Sequence, residues 1–224
     1  MVTNGSILAS APRTRPIYLT PLCPPEYCVS QKELFQIDAQ YHTKGPVVFK
    51  WHPQGAFLAT CGSNRIVNIF NRQGTPLPGI PLEGTGKCLQ LEWDPSGETL
   101  AILQSGSPIV KLWDANQQLE SSLDTQMKDL TYMRWSAMRP LLSIGTAKGN
   151  LLLYDKRTLK KQSIMGKHSR RIQGGSWNLG GELALASEDK QVCACLRPRV
   201  LTCATHTRCA AATTSAKEKQ TSLC

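Results

Sequence analysis

Short apolar runs alternate with clusters of turn-forming residues along most of the chain. Ala56–Thr60, Thr99–Leu103, Leu141–Gly145 and Glu182–Ser187 are apolar or small throughout most of their length, and a small-residue turn follows each. Beyond those turns, Ile66–Asn71, Ile109–Asp114 and Leu151–Asp155 are rich in β-branched or aliphatic residues and end in an aromatic followed by an amide or an acid. Runs this short, bounded by Gly, Pro, Asn and Ser, predict strands and argue against a helical repeat. No run of about 18 apolar residues exists, so a transmembrane helix is not expected.

The runs recur with a fixed period. Trp51, Trp93, Trp135 and Trp177 are each 42 residues from the next. Pro53 and Pro95, each two residues before a glycine, place a turn after the first two indoles. Trp113 and Asp114 close the second unit, 20 residues past its marker tryptophan. Several short strands per 42-residue unit describe a propeller blade, a unit too small to bury its own faces that stacks on its neighbours to do so. The expected fold is all-β: an incomplete β-propeller of three full blades and most of a fourth. Leu34–Ile37 is the candidate first outer strand. The fourth unit lacks the aromatic-acid pair, having Leu196 and Arg197 there, so Gln191–Leu196 is expected to form only a weak last strand. Residues 1–31 read as an unstructured or unrelated extension, 32–192 as the blades, and 193–224 as an unstructured tail rich in Cys, Ala and Thr.

The strings Trp93–Ala101, Lys111–Asn116, Gly145–Tyr154 and Gly166–Ile172 resemble WD40 repeats. More narrowly, they are similar to the N-terminal propeller of the WD-repeat subunit of intraflagellar transport complex A. That resemblance, over residues 32–192, implies a non-enzymatic scaffold in cilia with no cofactor, acting in cilium assembly and retrograde transport. Its implied partners are other complex A subunits and cargo adaptors, and its implied location is the cytoplasm, the cilium and the ciliary base. The family's second propeller and helical tail have no counterpart here. The chain is therefore expected to be a piece of a larger protein, or an isoform or gene model with foreign ends. The polar tetrad of WD40 blades is poorly kept. His168, Ser187 and Asp189 supply three members in the fourth unit, its terminal Trp is gone, and the earlier units lack the His, so blade rigidity is expected to come from packing.

Charge adds a rival reading. The chain of 224 residues carries 26 Lys and Arg against 16 Asp and Glu, a net +10. Seven of the cations, Lys156, Arg157, Lys160, Lys161, Lys167, Arg170 and Arg171, lie between the last run of the third unit and the first of the fourth. Read as one loop, they would crowd one rim and engage an acidic protein or an anionic lipid. The alternative function is thus a basic propeller binding nucleic acid or anionic phospholipid through this rim. Nucleic acid is the weaker choice, because no stacking rings interleave these cations.

Catalytic candidates are thin. None of the four histidines sits in a zinc-protease, nucleophile-elbow or phosphate-loop motif. His52 reads as an exposed turn residue, and Asp94, Asp114 and Asp155 as acceptors of turn N–H groups. Cys193, Cys195, Cys203, His206 and Cys209 could supply zinc ligands, but their spacing fits no standard finger, and no metal site is expected. The nine cysteines are an odd number with no secretory signal before them, which suggests reduced thiols. Met1–Tyr18 has a transit-peptide-like composition without the amphipathic period such a segment needs.

Overall fold

The computed structural model describes residues 34–195, and the zinc candidates Cys203, His206 and Cys209 lie outside them. Four antiparallel sheets follow one another along the chain. The first is β1 (Val48–Trp51), β2 (Phe57–Cys61), β3 (Ile66–Asn71) and β4 (Ile80–Pro81). The second is β5 (Cys88–Trp93), β6 (Thr99–Gln104), β7 (Ile109–Asp114) and β8 (Glu120–Asp124). The third is β9 (Leu130–Trp135), β10 (Leu141–Thr146), β11 (Leu151–Asp155) and β12 (Lys160–Ile164). The fourth has three strands, β13 (Ile172–Trp177), β14 (Leu183–Ser187) and β15 (Val192–Cys195). In each, spatial order follows chain order, so every connection within a sheet is a hairpin.

Each marker tryptophan is the last residue of its sheet's first strand. It faces the second strand in one register: Trp51 opposite Leu58, Trp93 opposite Leu100, Trp135 opposite Leu142 and Trp177 opposite Leu183. The first strands of successive sheets lie side by side. The expected incomplete WD40-type propeller is therefore the observed architecture.

The apolar core lies between the sheets. On β6, successive side chains point to opposite faces: Leu100 and Ile102 join Val67, Ile69 and Ile80 of the first sheet, while Ala101 and Leu103 join Met133, Leu142 and Ile144 of the third. Both faces of β6 are thus dry, and all six of its residues are buried. A third cluster joins Leu151 and Leu153 to Ile172, Leu183 and Leu185 across the next seam. That seam is tight at Gly145, where an added Cβ would stand 2.9 Å from the Ile172 side chain.

Two expectations change. Leu34–Ile37 is not a strand; the chain instead makes a one-turn 3-10 helix, Ala39–Tyr41, whose Tyr41 ring meets Phe70 edge-on at 5.2 Å. Asn64 and Asn68 both donate to the Tyr41 carbonyl and hold this turn on the first sheet. At the other end, β15 falls within Gln191–Leu196, the segment expected to form a weak last strand. Outer strands β4, β8 and β12 also complete their sheets without having been read from the sequence. Among the described residues no helix is long and apolar enough to cross a membrane.

Stability is expected to depend on the seams. Leu100→Ala, at a position with no exposure, is expected to cost about 2–5 kcal/mol in urea melts. Phe49→Ala, 65% exposed on the outer side of the first sheet, is expected to cost under about 0.5 kcal/mol. Equal losses would show that the seams are not the principal core.

Candidate interaction surface

The residue before each marker tryptophan builds a polar ladder across the first strands. Lys50, Glu92 and Arg134 come from three successive sheets, 42 residues apart. Lys50 Nζ lies 3.1 Å from Glu92 Oε2, and Arg134 Nη1 lies 3.9 Å from Oε1. The Glu92 side chain is only 8% exposed, and Gln90 Nε2 donates to its Oε1 at 3.1 Å. Gln90 also crosses the seam to the third sheet, donating to the Met133 carbonyl at 2.5 Å and accepting from its N–H at 3.0 Å. Trp93 Nε1 donates to the Lys50 carbonyl and Trp177 Nε1 to the Arg134 carbonyl, both at 3.3 Å. Rigidity therefore comes from packing and from buried hydrogen bonds together, a correction to the expectation of packing alone. The 42-residue spacing of Lys50, Glu92 and Arg134 was available in the sequence and marks this ladder.

A second seam contact overturns the reading of His52. It is 9% exposed, and its Nε2 lies 2.9 Å from the carbonyl oxygen of Gly97 in the next sheet's first turn. Its ring stands edge-on to Trp93 at 4.9 Å and to Phe57 at 5.6 Å. Gly97, at φ +80°, makes the approach possible, since a Cβ there would meet the His52 ring. The aspartates do accept turn N–H groups: Asp94 from Thr99, Asp114 from Asn116 and Gln117, and Asp155 from Arg157 and Thr158.

The structure disperses the basic cluster. Lys156 and Arg157 lie in the β11–β12 turn, Lys160 and Lys161 on β12, and Lys167, Arg170 and Arg171 in the connection from β12 to β13. A strand separates the first group from the last, so the seven are not one loop on one rim. Lys156 reaches back to the second sheet, 2.7 Å from Asp94 Oδ2 and 3.0 Å from Glu98 Oε2. Burial pulls its ammonium pKa down, but the two carboxylates outweigh that and hold it above the usual lysine value. Lys161 Nζ donates to the Asp124 carbonyl at 2.7 Å. Arg157, Lys160, Arg170 and Arg171 are exposed.

In the fourth sheet His168 Nδ1 lies 3.1 Å from Asp189 Oδ2. Burial alone would raise the Asp189 pKa, yet the Ser169 and Gln191 N–H groups and His168 bring it below the usual carboxylate range. Ser187 Oγ donates to the Arg170 carbonyl rather than to His168, whose buried Nε2 has no hydrogen-bond partner. Burial pushes the Tyr132 phenol at the same seam up to about 12. Cys61 and Cys88 are buried free thiols facing one another across the first seam, and their hydrogen bond together with burial pushes Cys88 up. Among the described residues no three His, Cys, Asp or Glu side chains converge in a metal-ligand cluster.

Removing Lys156 strips a nearly buried carboxylate of its cation, because the Asp94 side chain is only 2% exposed. Lys156→Ala is expected to cost about 1–3 kcal/mol, and Lys160→Ala under about 0.5 kcal/mol, in parallel denaturant titrations. A null effect at Lys156 would place that ion pair outside the fold's stability.

The match to known proteins follows the same span as the sheets. The family model described as the WDR19 first beta-propeller matches residues 47–196. WD repeat-containing protein 19 of Homo sapiens is 38% identical over 163 residues, 72% of this chain and 12% of that protein. WD repeat-containing protein dyf-2 of Caenorhabditis elegans is 32% identical over 149 residues, 65% of this chain and 11% of that protein. Among solved structures, a chain in a crystal structure of the mitotic checkpoint complex superposes with a TM-score of 0.58 at 20% identity, over 67% of this chain and 50% of that one. That likeness shows the propeller fold, and the chain spans only a small part of the length of its curated relatives. By the family match, the chain belongs to the family of the first β-propeller of WD repeat-containing protein 19.

Proposed function

We propose that this chain is a non-enzymatic protein–protein scaffold that contributes propeller blades to an assembly of the intraflagellar transport complex A type. The observation that carries this reading is the family match over residues 47–196, the span that forms the seam-locked sheets. Sheets fixed by their neighbours hold the intervening loops in set positions at both ends, which suits recognition of other proteins. Its partners on this reading are complex A subunits and cargo adaptors, and its place is the cytoplasm, the ciliary base and the cilium, where it supports cilium assembly and retrograde transport. The division into a separate N-terminal extension, blades and tail belongs to the same proposal. The dispersal of the seven-cation cluster takes away the single rim on which the lipid or nucleic-acid alternative was based.

An affinity-tagged chain expressed in ciliated cells is expected to co-purify complex A subunits and to concentrate at the ciliary base. Glu92→Lys, which places three cations on the inner-strand ladder, is expected to abolish both. Capture of no complex A subunit by the folded wild-type chain would overturn the assignment.

A further inference from the structure

The two ends of the sheets differ in charge. The hairpin turns 52–56, 72–79, 94–98, 115–119, 136–140, 156–159 and 178–182 share one end, and carry four Lys and Arg against three Asp and Glu. The segments 42–47, 62–65, 82–87, 105–108, 125–129, 147–150, 165–171 and 188–191 share the other. They carry nine Lys and Arg against four Asp and Glu.

A repeated main-chain bond fixes this basic end. The N–H of Ser63, Ser105, Ala147 and Glu188 donates to the carbonyl of His42, Lys87, Asp129 and Arg171 respectively, at 2.8–3.1 Å. Each bond ties the segment entering a sheet to that sheet's second hairpin. Over the third and fourth sheets backbone donors carry the link on without a gap: Ala147 to Asp129, His168 N–H to the Gly149 carbonyl at 3.2 Å, and Ser169 N–H to the side-chain Oδ2 of Asp189 at 3.0 Å. Loops 125–129, 147–150, 165–171 and 188–191 thus form one continuous patch, on which Lys128, Lys148, Arg170, Arg171 and Lys190 are exposed.

We propose that this patch docks an acidic segment of a partner protein. The proposal rests on the scaffold reading and names the chemistry of one partner. The pattern of charge selects a peptide. Asp129 and Glu188 are exposed among the cations. A uniform plane of anionic headgroups or a continuous phosphate backbone would be repelled at those two points, whereas a peptide can set its own carboxylates between them. The four loops contain no Phe, Tyr or Trp on which a base could stack. Because these backbone bonds and the Asp189 carboxylate hold the loops, the cations are presented with little ordering left for binding to impose.

The test uses the full chain and a fluorescein-labelled Glu-rich peptide, with fluorescence polarisation at about 150 mM salt and again at about 500 mM. Binding is expected, weakening at the higher salt. The variant Lys148→Glu/Arg170→Glu/Arg171→Glu is expected to weaken it at least about 10-fold. Arg72→Glu/Arg157→Glu, at the opposite end, is expected to leave it within about 2-fold. Circular dichroism and thermal melts verify that both variants fold. No peptide binding, equal losses in the two variants, or preference for phosphatidylserine vesicles or a single-stranded oligonucleotide over the peptide would each overturn the proposal. Co-purification of complex A subunits with the wild-type chain separates the outcomes: retained while the peptide fails to bind, it leaves the scaffold reading standing and removes only the patch.

Discussion

Every sheet in this protein depends on its neighbours to keep its faces dry. A single four-stranded sheet has two faces and no interior of its own, so its apolar residues are buried only when another sheet lies against them. β6 shows the constraint most plainly, with alternate side chains serving two different clusters. The small residues follow from it too. Gly145 leaves room for Ile172 of the next sheet, and Gly97 for the ring of His52. The polar contacts are arranged around the same seams. Glu92 and Gln90 work between first strands, and Asp94 takes its cation from Lys156 of the following sheet.

Much of this was legible in the sequence because the repeat writes the same environment again and again. The marker tryptophans fall at one position of one strand, and the apolar runs after them became β2, β6, β10 and β14. The outer strands were not legible, for a physical reason. β12 is exposed along nearly its whole length and β8 buries only Leu123, so neither carries the alternation that reveals a half-buried strand. The unread β12 is also why seven cations close in sequence looked like one loop.

His52 was misread for a different reason. Nothing in His52-Pro53-Gln54-Gly55 distinguishes an exposed turn from one capped by the next sheet, because the capping group is a backbone carbonyl 45 residues away. Lys50, Glu92 and Arg134 were the reverse case. Their spacing equals that of the tryptophans, and their alternating charge signs are what a contact between adjacent strands needs.

The recurring bond from Ser63, Ser105, Ala147 and Glu188 uses only peptide groups at both ends. At Ser63 and Ser105 the hydroxyl adds to it, donating to the Lys44 carbonyl and accepting from the Lys87 N–H respectively, whereas at Ala147 the peptide group acts unaided. At Ala147 and Glu188 the side chain can therefore be altered while the scaffolding beneath stays in place. A surface built in this way can acquire a new binding preference by substitution alone, without first having to solve the folding problem again.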